Sequence, residues 1–118
     1  MKLSQERCTA CRPGSPPVTA EEAAELRAQV PAWAQVERDG VPQLERVFRF
    51  EGADAAQAFV ARLRALADEQ DHHPVLRAAG SEVAVRWWTH AIRNLHRNDF
   101  IMAARTDRLF EEMAGARQ

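Results

Sequence analysis

The chain has 118 residues, 46% of them hydrophobic and 28% charged, which suits a single domain with one core and leaves no room for a second. Sixteen Lys and Arg against seventeen Asp and Glu are mixed along it, and a net charge of −1 gives no basic footprint for a phosphate backbone or an anionic lipid surface. No apolar run approaches the ~20 residues that span a bilayer, and "MKLSQERCTACRPGSPP" has no continuous apolar signal core, so the expectation is a soluble, cytoplasmic protein without direct nucleic-acid or membrane partners.

Residues 1–18 are rich in Pro, Gly and Ser and read as an extended N-terminal arm, followed by one domain over 19–118. The arm carries Cys8 and Cys11 as a lone CxxC. A structural zinc wants four ligands and no second CxxC or HxxxH pair follows. A thioredoxin-like pair opens a helix, which "CRPGSPP" cannot do, so reduced thiols in an extended segment are expected.

In "VTAEEAAELRAQVP", Thr19 with Glu22 three residues on has capping-box spacing and Pro31 supplies a stop, predicting a helix from Ala20 to Val30. "WAQVERDGVPQLERVFRF" offers two extended runs around Asp39-Gly40, with Leu44, Arg46, Phe48 and Phe50 on one face of the second. "ADAAQAFVARLRALADEQ" begins with Asp54 as a cap and places Phe59, Leu63 and Leu66 at helical spacing. "PVLRAAGSEVAVRWW" predicts a second hairpin around Gly80-Ser81, in which Val83, Val85 and Trp87 alternate with Ala84, Arg86 and Trp88. A last helix over Asn98 to Met113 would turn Phe100, Ala103, Ala104 and Phe110 inward. The order αββαββα predicts an α+β fold in which three helices pack on one face of a four-stranded antiparallel sheet.

Three of the four histidines lie in one stretch of this plan. His72 and His73 follow the second helix, Pro74 pushes His73 toward extended backbone, and His90 ends the strand that returns beside Pro74. A cluster of imidazoles suits general acid–base chemistry near neutral pH. A three-histidine zinc site uses the same residue types, and spacing leaves both readings open. Asp68, near a helix C-terminus, opposes the helix dipole and so invites a partner, whereas Asp99, in a first turn, sits where a cap is favoured anyway.

"ADEQDHHP", followed by "THAIRNLHRNDFIMAARTD", resembles the pterin-4a-carbinolamine dehydratases, whose pattern is an acidic residue, HHP, a hairpin, TH, a short loop and a DF that enters the last helix. "CTACRPGSPPVTAEEAAEL" and "DGVPQLERVFRF" are similar to the N-terminal half of bacterial and plastid-type members. The resemblance implies that His72, His73 and His90 are the active-site histidines and that Asp68 and Asp99 are substrate-binding carboxylates. It implies dehydration of a 4a-hydroxytetrahydropterin to quinonoid dihydropterin in tetrahydropterin recycling, with no metal, no cofactor, and a homodimer or homotetramer as the assembly. Family members also act as a dimerisation cofactor of a transcription factor and as RuBisCO assembly factors, which implies an alternative role as an interaction protein with a protein partner. Retention of all three histidines favours the enzyme. The chain departs from the pattern where Arg93, Asn94, Leu95 and His96 replace Gly-Gly-Leu-Thr, at Gly80, where many members carry Tyr, and at Leu76, where animal members often have Trp.

Overall fold

The computed structural model describes residues 2–9 and 14–116. Helix α1 (Ala20–Arg27) starts at a capping box in which the Glu22 amide donates to Thr19 Oγ1 and the Glu22 carboxylate accepts from the Thr19 amide. It stops three residues short of Val30, because the chain tightens into turns before Pro31, with Gln29 and Val30 amides donating to Leu26 and Arg27 carbonyls.

Strands β1 (Ala34–Arg38) and β2 (Val41–Arg49) form the first hairpin, and Asp39 and Gly40 both take positive φ, the requirement of a tight turn that matches strand twist. Helix α2 (Ala53–Gln70) begins two residues earlier than expected, with Gly52 in the cap position in place of Asp54, which lies inside the first turn, where its charge faces the dipole. Strands β3 (Val75–Ala79) and β4 (Glu82–Trp87) form the second hairpin around Gly80 at φ 60°, and helix α3 (Arg97–Ala116) closes the chain. The sheet is antiparallel throughout in the order β1-β2-β4-β3, so the two hairpins meet through their inner strands.

Period-two alternation decides which face is buried. Leu44 pairs with Trp87, Arg46 with Val85 and Phe48 with Val83, and this face meets the helices. Phe59 and Leu63 of α2 and Phe100, Met102 and Ala103 of α3 are fully buried against it, while Leu66 and Phe110 are half-buried. Phe48 lies 4.9 Å from Phe59 and 5.0 Å from Phe110 between ring centroids, an aromatic cluster in which each buried ring contributes about 1.5–3 kcal/mol. Arg46, though on the core face, is accommodated because its guanidinium lies over Phe48 and reaches Asp107 at 2.6 Å, and the Trp33 indole N–H donates to the same oxygen. Burial pushes the Asp107 carboxyl up, against the pull of those two donors. Three helices on one face of a four-stranded sheet is the α+β arrangement that the element order predicts.

The N-terminal segment runs over this domain. Leu3–Gln5 form a single 3-10 turn, Leu3 is fully buried in the core, and residues 6–9 continue along the start of α3.

Candidate active site

The site lies where α2 ends, β4 ends and α3 begins. Asp71 takes left-handed backbone, its amide donates to Asp68 O, and the His72 amide donates back to Ala67 O, the two bonds of a Schellman turn. That turn folds the chain back over the helix end and carries His72 inward. Pro74 then leads into β3, and His72 is buried while His73, the next residue, is exposed.

His72 lies parallel to the buried Trp87 ring, with 5.6 Å between centroids and 5° between planes. Its Nε2 is 2.7 Å from Oδ1 of Asp99, which is fully buried. The second Asp99 oxygen accepts from the Thr89 hydroxyl at 2.8 Å and from the His96 amide at 2.9 Å. An ionised carboxylate only accepts, so this network calls for the proton on Nε2 of His72 and leaves Nδ1 as the nitrogen able to exchange one. Asp99 also closes the helix start in the manner of a capping box, with His96 in the cap position and its Nδ1 accepting from the Asn98 amide.

His73 Nε2 lies 2.9 Å from Asp68 Oδ1, and both side chains are largely in solvent, at 58% and 76% exposure. A pair so exposed orients the ring but adds little stability, about 0–1 kcal/mol. His90 stacks on Trp88 at 4.4 Å between centroids. Thr89, the residue before it, is held by a bridge to Asn94 across the loop, in which Arg93 takes φ 49°.

His72, His73 and His90 line one open cavity of about 660 Å³, together with Thr89 and residues from the end of α2. Asp99 lies behind His72, away from the cavity, and Asp68 touches the site through His73. Among the described residues no group of three His, Cys, Asp or Glu side chains converges as metal ligands would. Sequence reasoning missed the Thr89 hydroxyl, whose role depends on a contact with Asp99 that no local pattern announces. It also missed Arg7, Cys8, Thr9 and Asn98, which supply another wall of the cavity. The CxxC lies partly outside the described residues, since Cys11 is not among them, and Cys8 Sγ sits 3.9 Å from the Asn98 carbonyl.

The fold and site define a small α+β protein that buries a His–Asp pair beneath a histidine-lined cavity. Comparison with known proteins makes the class specific. Residues 16–109 match the family model described as pterin 4 alpha carbinolamine dehydratase, and the chain belongs to that family. A Gloeobacter violaceus protein named "Putative pterin-4-alpha-carbinolamine dehydratase 1" is 53% identical over 107 residues, spanning 91% of this chain and 92% of its own. A similarly named protein of Syntrophotalea carbinolica is 49% identical, over 93% of this chain and 98% of its own. Among solved structures, a transcriptional coactivator/pterin dehydratase from Brucella melitensis superposes with a TM-score of 0.73 at 28% identity, covering 80% of this chain and 98% of that one. A pterin dehydratase-like protein identified as a RuBisCO assembly factor in the alpha-carboxysome gives 0.58 at 25% identity, covering 66% of this chain and 88% of that one.

Proposed function

We propose that the protein dehydrates a 4a-hydroxytetrahydropterin. The observation that carries this reading is the buried Asp99–His72 pair set behind a cavity that His73 and His90 share. In the reaction the C4a hydroxyl takes a proton and leaves as water, the C4a–O bond breaks, electrons from N5 form the C=N bond, and a ring nitrogen releases a proton. The pterin therefore gains one proton and loses one, and needs an acid and a base at the same time. His72, held by Asp99, and His73, held by Asp68, serve as that acid–base pair, and His90 on its Trp88 platform binds and orients the ring. Asp99 acts through His72 and Asp68 through His73, so both carboxylates are positioning residues in this scheme. No metal or organic cofactor takes part.

The test is dehydration of freshly generated 4a-hydroxytetrahydropterin by the purified chain, followed as quinonoid dihydropterin formation. Turnover that falls roughly 10²- to 10⁴-fold in His72→Ala and His73→Ala supports the scheme. Normal turnover in both variants, with the fold intact by circular dichroism, refutes it.

The second reading, an interaction protein on the same fold, draws support from the two structural neighbours, one a transcriptional coactivator/pterin dehydratase and the other a RuBisCO assembly factor. It is favoured if the folded wild-type chain shows no turnover with any pterin. Under either reading the protein works in the cytoplasm as a homodimer or homotetramer, and β1 and β3, the two outer strands of the sheet, offer edges for such association. Sedimentation equilibrium decides the assembly, and a monomer at micromolar concentration counts against it.

A further inference from the structure

Family-model similarity begins at residue 16, yet the cavity does not end there: Arg7, Cys8 and Thr9 form part of its lining. Residues 6–9 are held in place from three directions. Arg97 grips Glu6 with two donors, Nε to Oε1 at 2.9 Å and Nη2 to Oε2 at 2.7 Å, and the guanidinium holds the Glu6 carboxyl below the usual glutamate range. The Cys8 amide donates to Gln70 Oε1 at 3.0 Å, which ties the segment to the end of α2. Asn98 clamps Thr9 through both backbone groups, accepting from its amide at 3.0 Å and donating to its carbonyl at 2.7 Å.

This clamp is a built feature. Asn98 is buried, and its amide replaces the two bonds that a neighbouring strand would give Thr9. It is also adjacent in sequence to Asp99, so one turn of α3 fixes both the His72 partner and the opposite wall. Arg7 and Thr9 are themselves exposed and line the cavity beside Cys8 and Asn98, so this wall carries a guanidinium-bearing and a hydroxyl-bearing residue. Arg7 can only donate, so what the wall offers is suited to acceptor oxygens.

We propose that residues 6–9 form a specificity wall which reads the substituent on C6 of the pterin, favouring one rich in acceptor oxygens, and that Asn98 is its positioning residue. The inference rests on the dehydratase reading. C6 is bonded to N5, the nitrogen whose electrons expel the hydroxyl, so a C6 side chain lies in the same cavity as the acid and base. The histidines act on the ring, which leaves the substituent to the remaining wall. Discrimination between pterins then depends on residues 6–9, outside the family-matched region and held there by Asn98 within it, while the chemical step does not.

The experiment compares two 4a-hydroxytetrahydropterins, one with a hydroxylated propyl chain on C6 and one with a methyl group there, in wild type, Asn98→Ala, Arg7→Ala and Glu6→Gln. Expected is a loss of about tenfold in kcat/KM for the hydroxylated substrate in Asn98→Ala and Arg7→Ala, carried by KM, with the methyl substrate changed less than about threefold. Glu6→Gln, which weakens the tether outside the cavity, should lose preference in the same direction and to a smaller degree. Thermal melts establish that each variant is folded. A preference unchanged in folded Asn98→Ala and Arg7→Ala overturns the proposal, as does an equal fall in kcat for both substrates. If wild type turns over neither substrate, the dehydratase reading fails by itself, and binding of the two corresponding dihydropterins, followed by fluorescence quenching, reads the wall directly. Preference lost in Asn98→Ala then supports the wall, preference retained overturns it, and no pterin binding by wild type overturns both.

Discussion

Asp99→Asn is the substitution that separates orientation from packing at this site. The side chain keeps its shape, and its single carbonyl oxygen goes to the His96 amide, which can only donate, and takes the Thr89 hydroxyl bond at the same place. The amide NH2 then faces His72 Nε2 at the place where the carboxylate oxygen stood, 2.7 Å away. A donor in that place forces Nε2 to accept, so the neutral ring carries its proton on Nδ1 and has lost its free basic nitrogen. The expected effect is a fall in kcat of about 10²- to 10⁴-fold, equal to roughly 3–5.5 kcal/mol on the barrier, with KM changed little. Three bonds to a charged oxygen pair become bonds to a neutral amide, a loss of about 2 kcal/mol in stability. For a chain of this size that lowers Tm by roughly 8 °C and leaves most molecules folded. Steady-state dehydration kinetics, paired with circular dichroism melts, measures both numbers. Turnover within threefold of wild type in folded Asp99→Asn refutes the reasoning, because the His72 tautomer would then carry no weight.

His90→Ala should raise KM more than it lowers kcat if, as proposed, its ring on the Trp88 platform orients the pterin; initial rates over a range of substrate concentrations read the split. Glu6 tests the pH dependence of the tether. Its carboxyl is held below the ordinary range in the folded chain, so the stability that it adds is present above the unfolded glutamate pKa and is lost as pH falls through the lowered folded value. The Tm difference between wild type and Glu6→Gln should therefore be present at neutral pH and shrink steadily on acidification; a difference that grows in acid would reverse the sign. Arg93→Gly should stabilise the chain by about 1 kcal/mol in chemical denaturation, because Arg93 sits at φ 49°, where a Cβ is strained and glycine is not.

How far the sequence carries depends on the range of each signal. The Thr19–Glu22 capping box, the Asp39-Gly40 turn and the alternation of Val83, Val85 and Trp87 are encoded within a few residues, and each appears as read. Helix ends were less legible: α1 stops at Arg27 because turns tighten ahead of Pro31, and α2 starts from Gly52, a residue with no side chain to announce a cap. The turn that buries His72 was hidden because Asp71, not glycine, takes the left-handed position. What joins distant segments left no local trace. Trp33 and Arg46 converge on Asp107, and Leu3, within what reads as an arm, is fully buried in the core.

Asp99 shows why the site could be read only in part. In the sequence it stands in the first turn of a helix, where a carboxylate serves as cap and dipole partner, and that structural reading competes with a role at the site. In the fold the two roles belong to one side chain: one oxygen takes the His96 amide at the helix start along with the Thr89 hydroxyl, and the other takes His72. Locking the helix start thus locks the ring, so the imidazole is oriented by secondary structure and not by a flexible partner. The same economy extends to Asn98, one residue earlier, whose amide fixes the N-terminal wall. The loop of Arg93, Asn94, Leu95 and His96 therefore still leads into a defined helix start, because His96 and Asp99 together supply the cap.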